Sequence, residues 1–420
     1  MDRAEEMLSG RAPRSLGHPM SPWGGLAEVA DRTAFVAAFS NSAVIGTDEG
    51  LVIVDTSGRE MAGRVHEATR HWSTAPTHTV VFTHGHADHV FGVELHDADN
   101  ERAGRPAPVV VGHEAIAARF DRYVETAGYN ETINRRQFSL PDFEWPREWR
   151  YPDVTYHDHL DLHIGGERIE LHHARGETDD HTWVHVPGRR LLCTGDMFIW
   201  AAPNCGNPQK VQRYPRDWAR GLRAMAACEA EILLPGHGLP ITGATRVRAA
   251  LTDSAELLEH LYDETLSMMN AGARLDEIIH TVRAPDHLLA KPYLRPIYDE
   301  PEFIVHNIWR LLGGWYDGNP ATLKPAPDAA VAAEVAALAG GAATLARRAL
   351  ELAEAGDLRL AGHLAEWAAL AAPEDTTVHG ARAEVFERRR AAESSTMARG
   401  VFGAAARESR EATGEPPERR

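Results

Sequence analysis

The stretch "THGHADHVFG", residues 83–92, sets His84, His86, Asp88 and His89 close together, immediately after the apolar run "THTVVF". Neutral imidazole is the most frequent metal ligand in proteins, and carboxylate is its natural partner for a hard or borderline divalent ion. One such residue in a loop is an ordinary part of a solvated polar turn. Four at this density point to metal binding. Alternate residues His84 and His86 can converge on one ion while Asp88 and His89 serve another.

A two-ion site needs more ligands, and three later places offer them. "ARGETDDHTW" carries Glu177, Asp179, Asp180 and His181 just before a strand-like run. "LLCTGDMF" places Asp196 after an apolar run and a glycine, and "ILLPGHG" does the same with His237. Each alone has a structural explanation. Their common placement at the ends of apolar strands, together with the first cluster, makes them ligand candidates.

The elements that must position these residues follow from the hydrophobic pattern. Up to about residue 245 the chain alternates Val-, Ile- and Leu-rich runs ("SAVIGTDEGLVIVDTSG", "APVVVG", "RIELHH", "HTWVHVPGRRLLCTGD") with helical stretches such as "GREMAGRVHEATRHW". That mixture predicts an α/β fold, sheet layers with helices outside. Beyond it the strand-like runs vanish, and Ala, Leu, Glu and Arg recur at helical spacing. "AATLARRALELAEAGDLRLAGHLAEWAALAAPED" reads as two amphipathic helices joined at Gly356-Asp357. Their apolar stripe needs a partner surface, which predicts self-association. The expected organisation is an N-terminal segment (1–24), a catalytic domain (25–245), a helical domain (246–393) and a flexible tail (394–420).

Lys and Arg number 44 against 61 Asp and Glu, a net charge of −17, which argues against nucleic acid or an anionic membrane as the main partner. The opening "MDRAEEMLSGRAPRSLGHP" has no apolar core of a signal peptide, and no run approaches a membrane span. Cys193, Cys205 and Cys228 make neither a disulfide framework nor a zinc-ribbon spacing. The expectation is a soluble, cytoplasmic protein without membrane insertion, acting on a small molecule.

Taken in order, "HGHADH", "GETDDH", "TGDMF" and "PGHG" resemble the metallo-β-lactamase superfamily over roughly residues 25–245. The resemblance implies an αββα sandwich with a dinuclear metal site at one edge of the sheets. It assigns His84 and His86 to the first ion, Asp88, His89 and His237 to the second, and Asp196 to a bridge between them. Where the superfamily commonly has histidine, this chain has Glu177, ahead of His181, and in this it is similar to the alkyl sulfatase branch. The second half, through "GGWYDGNPATLKP", Gly340-Gly341 and Gly356-Asp357, resembles the dimerisation domain of that branch over about residues 250–385. A homodimer through the helical domain is thereby implied.

Two ions sharing a carboxylate make a nucleophilic water available near neutral pH, with Asp88 as a further proton acceptor. Asp179 or Asp180 are expected to support ligand imidazoles. Zinc is the default metal for His-rich ligands; Glu177 hardens the first site and keeps iron or manganese admissible. A sulfate ester would need donors for its non-reacting oxygens. Asn204, Lys210 and Arg213 are the candidates, because Pro208 falls near the position of the branch's arginine. His113 and the Arg135-Arg136 pair read as surface or capping residues, and His172 or His173 rivals Glu177 as the third ligand of the first ion. A thioesterase or lactonase would use the same ions, and a di-iron oxygen-chemistry protein is a more distant alternative.

Overall fold

A computed structural model describes residues 2–9 and 25–414. The chain divides into two compact units, residues 1–127 with 146–314, and residues 128–145 with 315–420.

The first unit is built on two sheets. One has seven strands in sequential order: β1 (Gly25–Ala30), β2 (Thr33–Ala37), β3 (Ser42–Thr47), β4 (Gly50–Val54), β5 (Thr77–Val81), β6 (Val109–His113) and β7 (Val154–Tyr156). The first four strands pair antiparallel and the remainder in parallel. The other sheet runs β13-β12-β11-β10-β9-β8, from β8 (His159–Ile164), β9 (Glu167–His173), β10 (Thr182–Val186), β11 (Leu191–Ile199), β12 (Ile232–His237) and β13 (Ile241–Thr242). Side-chain alternation sets which face is buried. In β9, Ile169 and Leu171 point into the core, while Glu170 and His172 lie on the opposite face and are only part-buried. Phe35, Ile45, Val52, Val81 and Val111 of one sheet meet Ile169, Leu171, Val184, Leu191 and Leu234 of the other in a continuous apolar layer.

Helices cover the outer faces. Helix Arg59–Trp72 buries Ala62 and Val65. Behind the second sheet, Leu192, Leu233 and Ile241 pack with Trp218, Leu222 and Met225 of helix Pro215–Ala227 and with Val247, Leu251, Leu258 and Leu261 of helix Ala244–Asn270. The αββα sandwich expected from the sequence is present. The expected boundary at 245 is not: helices from Ala244 to Gly313 belong to the first unit, because their apolar stripes complete the core behind β11 and β12. Composition distinguishes helix from strand, but it is silent on which surface a helix covers.

The second unit is helical. Helices Asp328–Ala339, Ala342–Glu354, Leu358–Ala371, Thr376–Ala392 and Thr396–Ala412 bury mainly alanine and leucine. The turn expected at Gly356-Asp357 is there, with Gly356 at φ +88° and the Asp357 carboxylate capping the next helix through Leu360 N–H. The flexible tail expected from 394 is instead helix Thr396–Ala412, which buries Met397, Ala398 and Ala404; Gly400 packs directly on the Gln137 carbonyl. Small residues there serve close packing, which composition alone reads as disorder. The end of that tail (415–420) and most of the N-terminal segment (10–24) lie outside the described residues. Helix Asp2–Leu8, from the same segment, places Ala4 and Met7 in the first unit's core. Among the described residues no single helix is long and apolar enough to cross a membrane.

Candidate metal centre

The seven residues singled out as ligands meet at one edge of the first unit, carried there by separate elements. His84 and His86 leave the end of β5, and Asp88 and His89 sit in the single turn Ala87–Val90. Glu177 occupies the loop between β9 and β10, Asp196 lies in β11, and His237 ends β12. Thr182 N–H donates to Thr83 O, and Asn41 N–H to Gly236 O, so hydrogen bonds tie the two sheets together beside the cluster. Glycine makes the approach of strands possible. Gly195 has φ +47°, and a Cβ there would sit 2.7 Å from Thr83 Cβ. A Cβ on Gly236 would lie 2.2 Å from Asp196 Oδ1.

Two ligand sets form. Single donor atoms of His84, His86, Glu177 and Asp196 lie within 4.8 Å of one another, as do those of Asp88, His89 and His237. In the first set, His84 Nε2 is 2.8 Å from His86 Nδ1, 4.0 Å from Glu177 Oε2 and 3.8 Å from Asp196 Oδ2. In the second, His237 Nε2 is 3.4 Å from Asp88 Oδ2, and His89 Nε2 is 3.7 Å from the same oxygen. Asp196 joins them: Oδ1 is 3.4 Å from His89 Nε2 and Oδ2 is 3.3 Å from His237 Nε2. A tetrahedral ion with bonds of ~2.1 Å spaces its ligands by about 3.4 Å, near these separations.

Three of the four imidazoles are oriented by the nitrogen they turn away from the cluster. His89 Nδ1 donates to Asp55 Oδ2 at 2.7 Å, and His237 Nδ1 donates to Phe39 O. Thr83 Oγ1 gives its one hydrogen to Asp55 Oδ2 (2.7 Å), so it accepts from His84 Nδ1 at 3.0 Å. The Nε2 atoms of all three rings are therefore unprotonated when neutral and face the carboxylates. Buried His89 Nε2, Glu177 Oε2 and Asp196 Oδ1 have no hydrogen-bond partner. Acceptor atoms aimed at one another without a donor are what divalent cations satisfy, so the residues present fit a metal pair.

The electrostatics carry the same signature. Burial, with neighbouring imidazoles, holds His84 well below the usual histidine range; burial, Arg119 and Arg213 do so for His86. Burial also acts to lower His89, but the carboxylates of Asp196, Asp55 and Asp88 outweigh it and raise it. Burial, reinforced by Asp196, pushes Glu177 up to about 8.

Other candidates take different places. His181 Nε2 accepts Asp196 N–H at 3.0 Å, so it supports the backbone at Asp196. Asp180 Oδ2 accepts from Gly85 N–H (3.0 Å) and Arg119 Nε (2.7 Å), and Asp179 pairs with Arg119. Asp180 thus fixes the loop between His84 and His86, and Asp179 holds Arg119, instead of an imidazole, a correction to their expected role. His173 Nδ1 bonds His181 O, and the ring stacks on His113 at 3.8 Å, outside both ligand sets; His172 stacks on Trp183. Arg135 Nε donates to Phe143 O within the second unit.

The three residues expected on a substrate anion divide. Asn204 Nδ2 and Arg213 Nη1 both donate to Glu177 Oε1, the latter at 2.6 Å. Each thus commits a donor to Glu177, because a buried carboxylate facing a cation site needs partners for its other oxygen, while Arg213 Nε stays without a hydrogen-bond partner among the described residues. Lys210 is part-buried among Arg213, Asp88 and Glu177; burial and Arg213 pull its pKa down to about 8. Sequence reasoning missed Asp55, whose carboxylate also takes Thr83 N–H at 2.8 Å. Its one signal was an aspartate closing the apolar strand "GLVIVD", here at φ +57°.

Residues 36–237 match the model of the metallo-beta-lactamase superfamily, and residues 274–412 that of alkyl sulfatase dimerisation. A linear primary-alkylsulfatase from a Pseudomonas species is 26% identical over 374 residues, 82% of this chain and 69% of the relative. An alkyl/aryl-sulfatase, BDS1 of Saccharomyces cerevisiae, is 24% identical and aligns over 80% of this chain and 56% of its own length. An (R)-specific secondary-alkylsulfatase from Pseudomonas is 25% identical, and the chain spans 56% of it. The solved structure of the inverting sec-alkylsulfatase Pisa1 from Pseudomonas superposes with a TM-score of 0.83 at 22% identity, over 94% of this chain and 66% of that one, a likeness of fold.

Proposed function

We propose that this chain, a metallo-β-lactamase superfamily protein carrying an alkyl sulfatase-type dimerisation domain, hydrolyses alkyl sulfate esters at a dinuclear metal centre. The observation that carries the reading is the pair of ligand sets sharing Asp196, each with a buried acceptor atom that lacks a hydrogen-bond partner. His84, His86 and Glu177 would hold one divalent ion, Asp88, His89 and His237 the other, and Asp196 both; zinc suits this His-rich set. When bound, such ions supply Lewis acidity and a nucleophilic water at neutral pH.

The chain's own residues do the rest. Asp88, the most solvent-exposed carboxylate of the cluster, accepts Ser40 Oγ–H at Oδ2 (2.6 Å), and it would take a proton from the attacking water. Lys210, in the field of Asp88 and Glu177, is the cation we assign to the sulfate oxygens. Similarity to alkylsulfatases along both halves of the chain favours a sulfate ester over the thioester or lactone alternative. A homodimer through the helical half of the chain is part of the same reading, supported by the match of residues 274–412 to the dimerisation model.

The test is an assay of purified protein carrying two ions per chain against alkyl sulfate, thioester and lactone panels, reading inorganic sulfate and alcohol. Equimolar sulfate and alcohol, abolished by chelation and by Asp196→Ala, supports the reading. A fully metallated protein that releases no sulfate while cleaving a thioester or lactone refutes it.

A further inference from the structure

We infer that Arg213 and Asn204 are positioning residues for the first metal site, acting through Glu177, and not anchors for the substrate anion. The inference rests on the metal-centre reading above. Glu177 is 2% exposed, and its two oxygens have different surroundings. Oε1 receives Arg213 Nη1 at 2.6 Å and Asn204 Nδ2. Oε2 has no hydrogen-bond partner and faces His84 Nε2 and His86 Nδ1 at 4.0 and 3.9 Å. Arg213 Nη1 also donates to Asn204 O, so guanidinium, amide and carboxylate close into one unit.

This arrangement does two things to a carboxylate ligand. Donors on Oε1 leave Oε2 as the oxygen available to a cation and fix the direction in which its lone pairs point. The guanidinium also balances a carboxylate that would otherwise be buried beside Asp196. The support reaches further back. Asn307, on helix Pro301–Gly313, accepts Arg213 N–H at Oδ1 (3.3 Å) and donates to Arg213 O from Nδ2 (3.1 Å). Its Oδ1 also accepts Gln212 Nε2 at 2.8 Å. The backbone at Arg213 is thus clamped by a helix remote in sequence, and the guanidinium delivers that rigidity to Glu177. Such a clamp holds the guanidinium to the tight tolerance that aiming a ligand oxygen requires.

The experiment titrates metal-depleted full-length protein with zinc against a chromogenic chelator, resolving the two binding steps, and measures KM for an alkyl sulfate. Arg213→Met and Asn204→Leu are each expected to weaken one zinc step by about 10–100-fold and leave the other unchanged. Arg213→Lys recovers part of the loss. Adding Arg213→Met to Glu177→Ala brings no further weakening, because the effect passes through Glu177. Unchanged zinc steps with KM alone raised, or additive losses in the double variant, overturn the inference. Should Arg213→Met fail to fold, Arg213→Lys and Asn204→Leu carry the same comparison. Wild-type protein that takes up no zinc would instead remove the underlying metal reading, a separate outcome.

Discussion

Replacing Asp55 by asparagine changes one heavy atom and should weaken the second metal site. Three donors converge on this carboxylate: Thr83 N at 2.8 Å, Thr83 Oγ1 at 2.7 Å and His89 Nδ1 at 2.7 Å. Asparagine keeps an acceptor for Thr83 N–H, but it presents an NH₂ group to the other two donors. His89 is then driven to the opposite tautomer, with hydrogen on Nε2, the atom aimed at Asp88 and Asp196. Loss of a carboxylate partner of a ligating histidine costs about 10–100-fold in metal affinity, or about 1.4–2.8 kcal/mol. The lost hydrogen bond to a charged group, about 1.5–3 kcal/mol, is of the same size. Stepwise zinc titration of Asp55→Asn measures this directly: one step weakens by that factor, and the first site loses less, through Thr83 and His84. Two unaltered zinc steps would refute the tautomer argument and with it the role given to Asp55.

Other outcomes follow from the same geometry. Glu177→Ala should lose the first ion in elemental analysis while His173→Ala retains both, since His173 lies outside the ligand sets; the reverse result would reassign the ligand. Gly195→Ala should destabilise by at least about 1–2 kcal/mol for the left-handed backbone alone, and by more for the contact with Thr83, read as a lowered urea midpoint. His96 is buried, bonds Thr77 Oγ1 at 3.0 Å, and is lowered from 6.5 to about 3 by burial with help from His66 and Arg70. The unfolded chain takes up that proton first, so stability should fall as pH drops below about 6.5, by up to about 1.4 kcal/mol per pH unit, until the folded value is reached. His96→Gln should flatten this acid limb relative to wild type, and parallel urea curves between pH 6.5 and 4.5 would contradict it.

Much of the centre was legible in the chain. His84, His86, Asp88 and His89 lie close enough for loop geometry alone to gather them, and Glu177, Asp196 and His237 each stand out as polar residues beside apolar runs, although Asp196 lies within β11 and Glu177 in a loop. The α/β character of the first half and the helical character of the second were written in hydrophobic period, a local property. What only the tertiary structure decided is long-range pairing. Nothing near Asp55 in sequence marks it as the partner of His89, which lies 34 residues away. Arg213 and Asn204 look like donors awaiting an anion until Glu177 is seen between them, 36 and 27 residues distant. The helices from Ala244 to Gly313 carry a stripe that any apolar surface could cover, and the packing behind β11 and β12 selected one. Ligand chemistry resides in residue type and survives in one dimension; the hydrogen bonds that aim a ligand atom, and the surface that claims a helix, come into being only when distant segments meet.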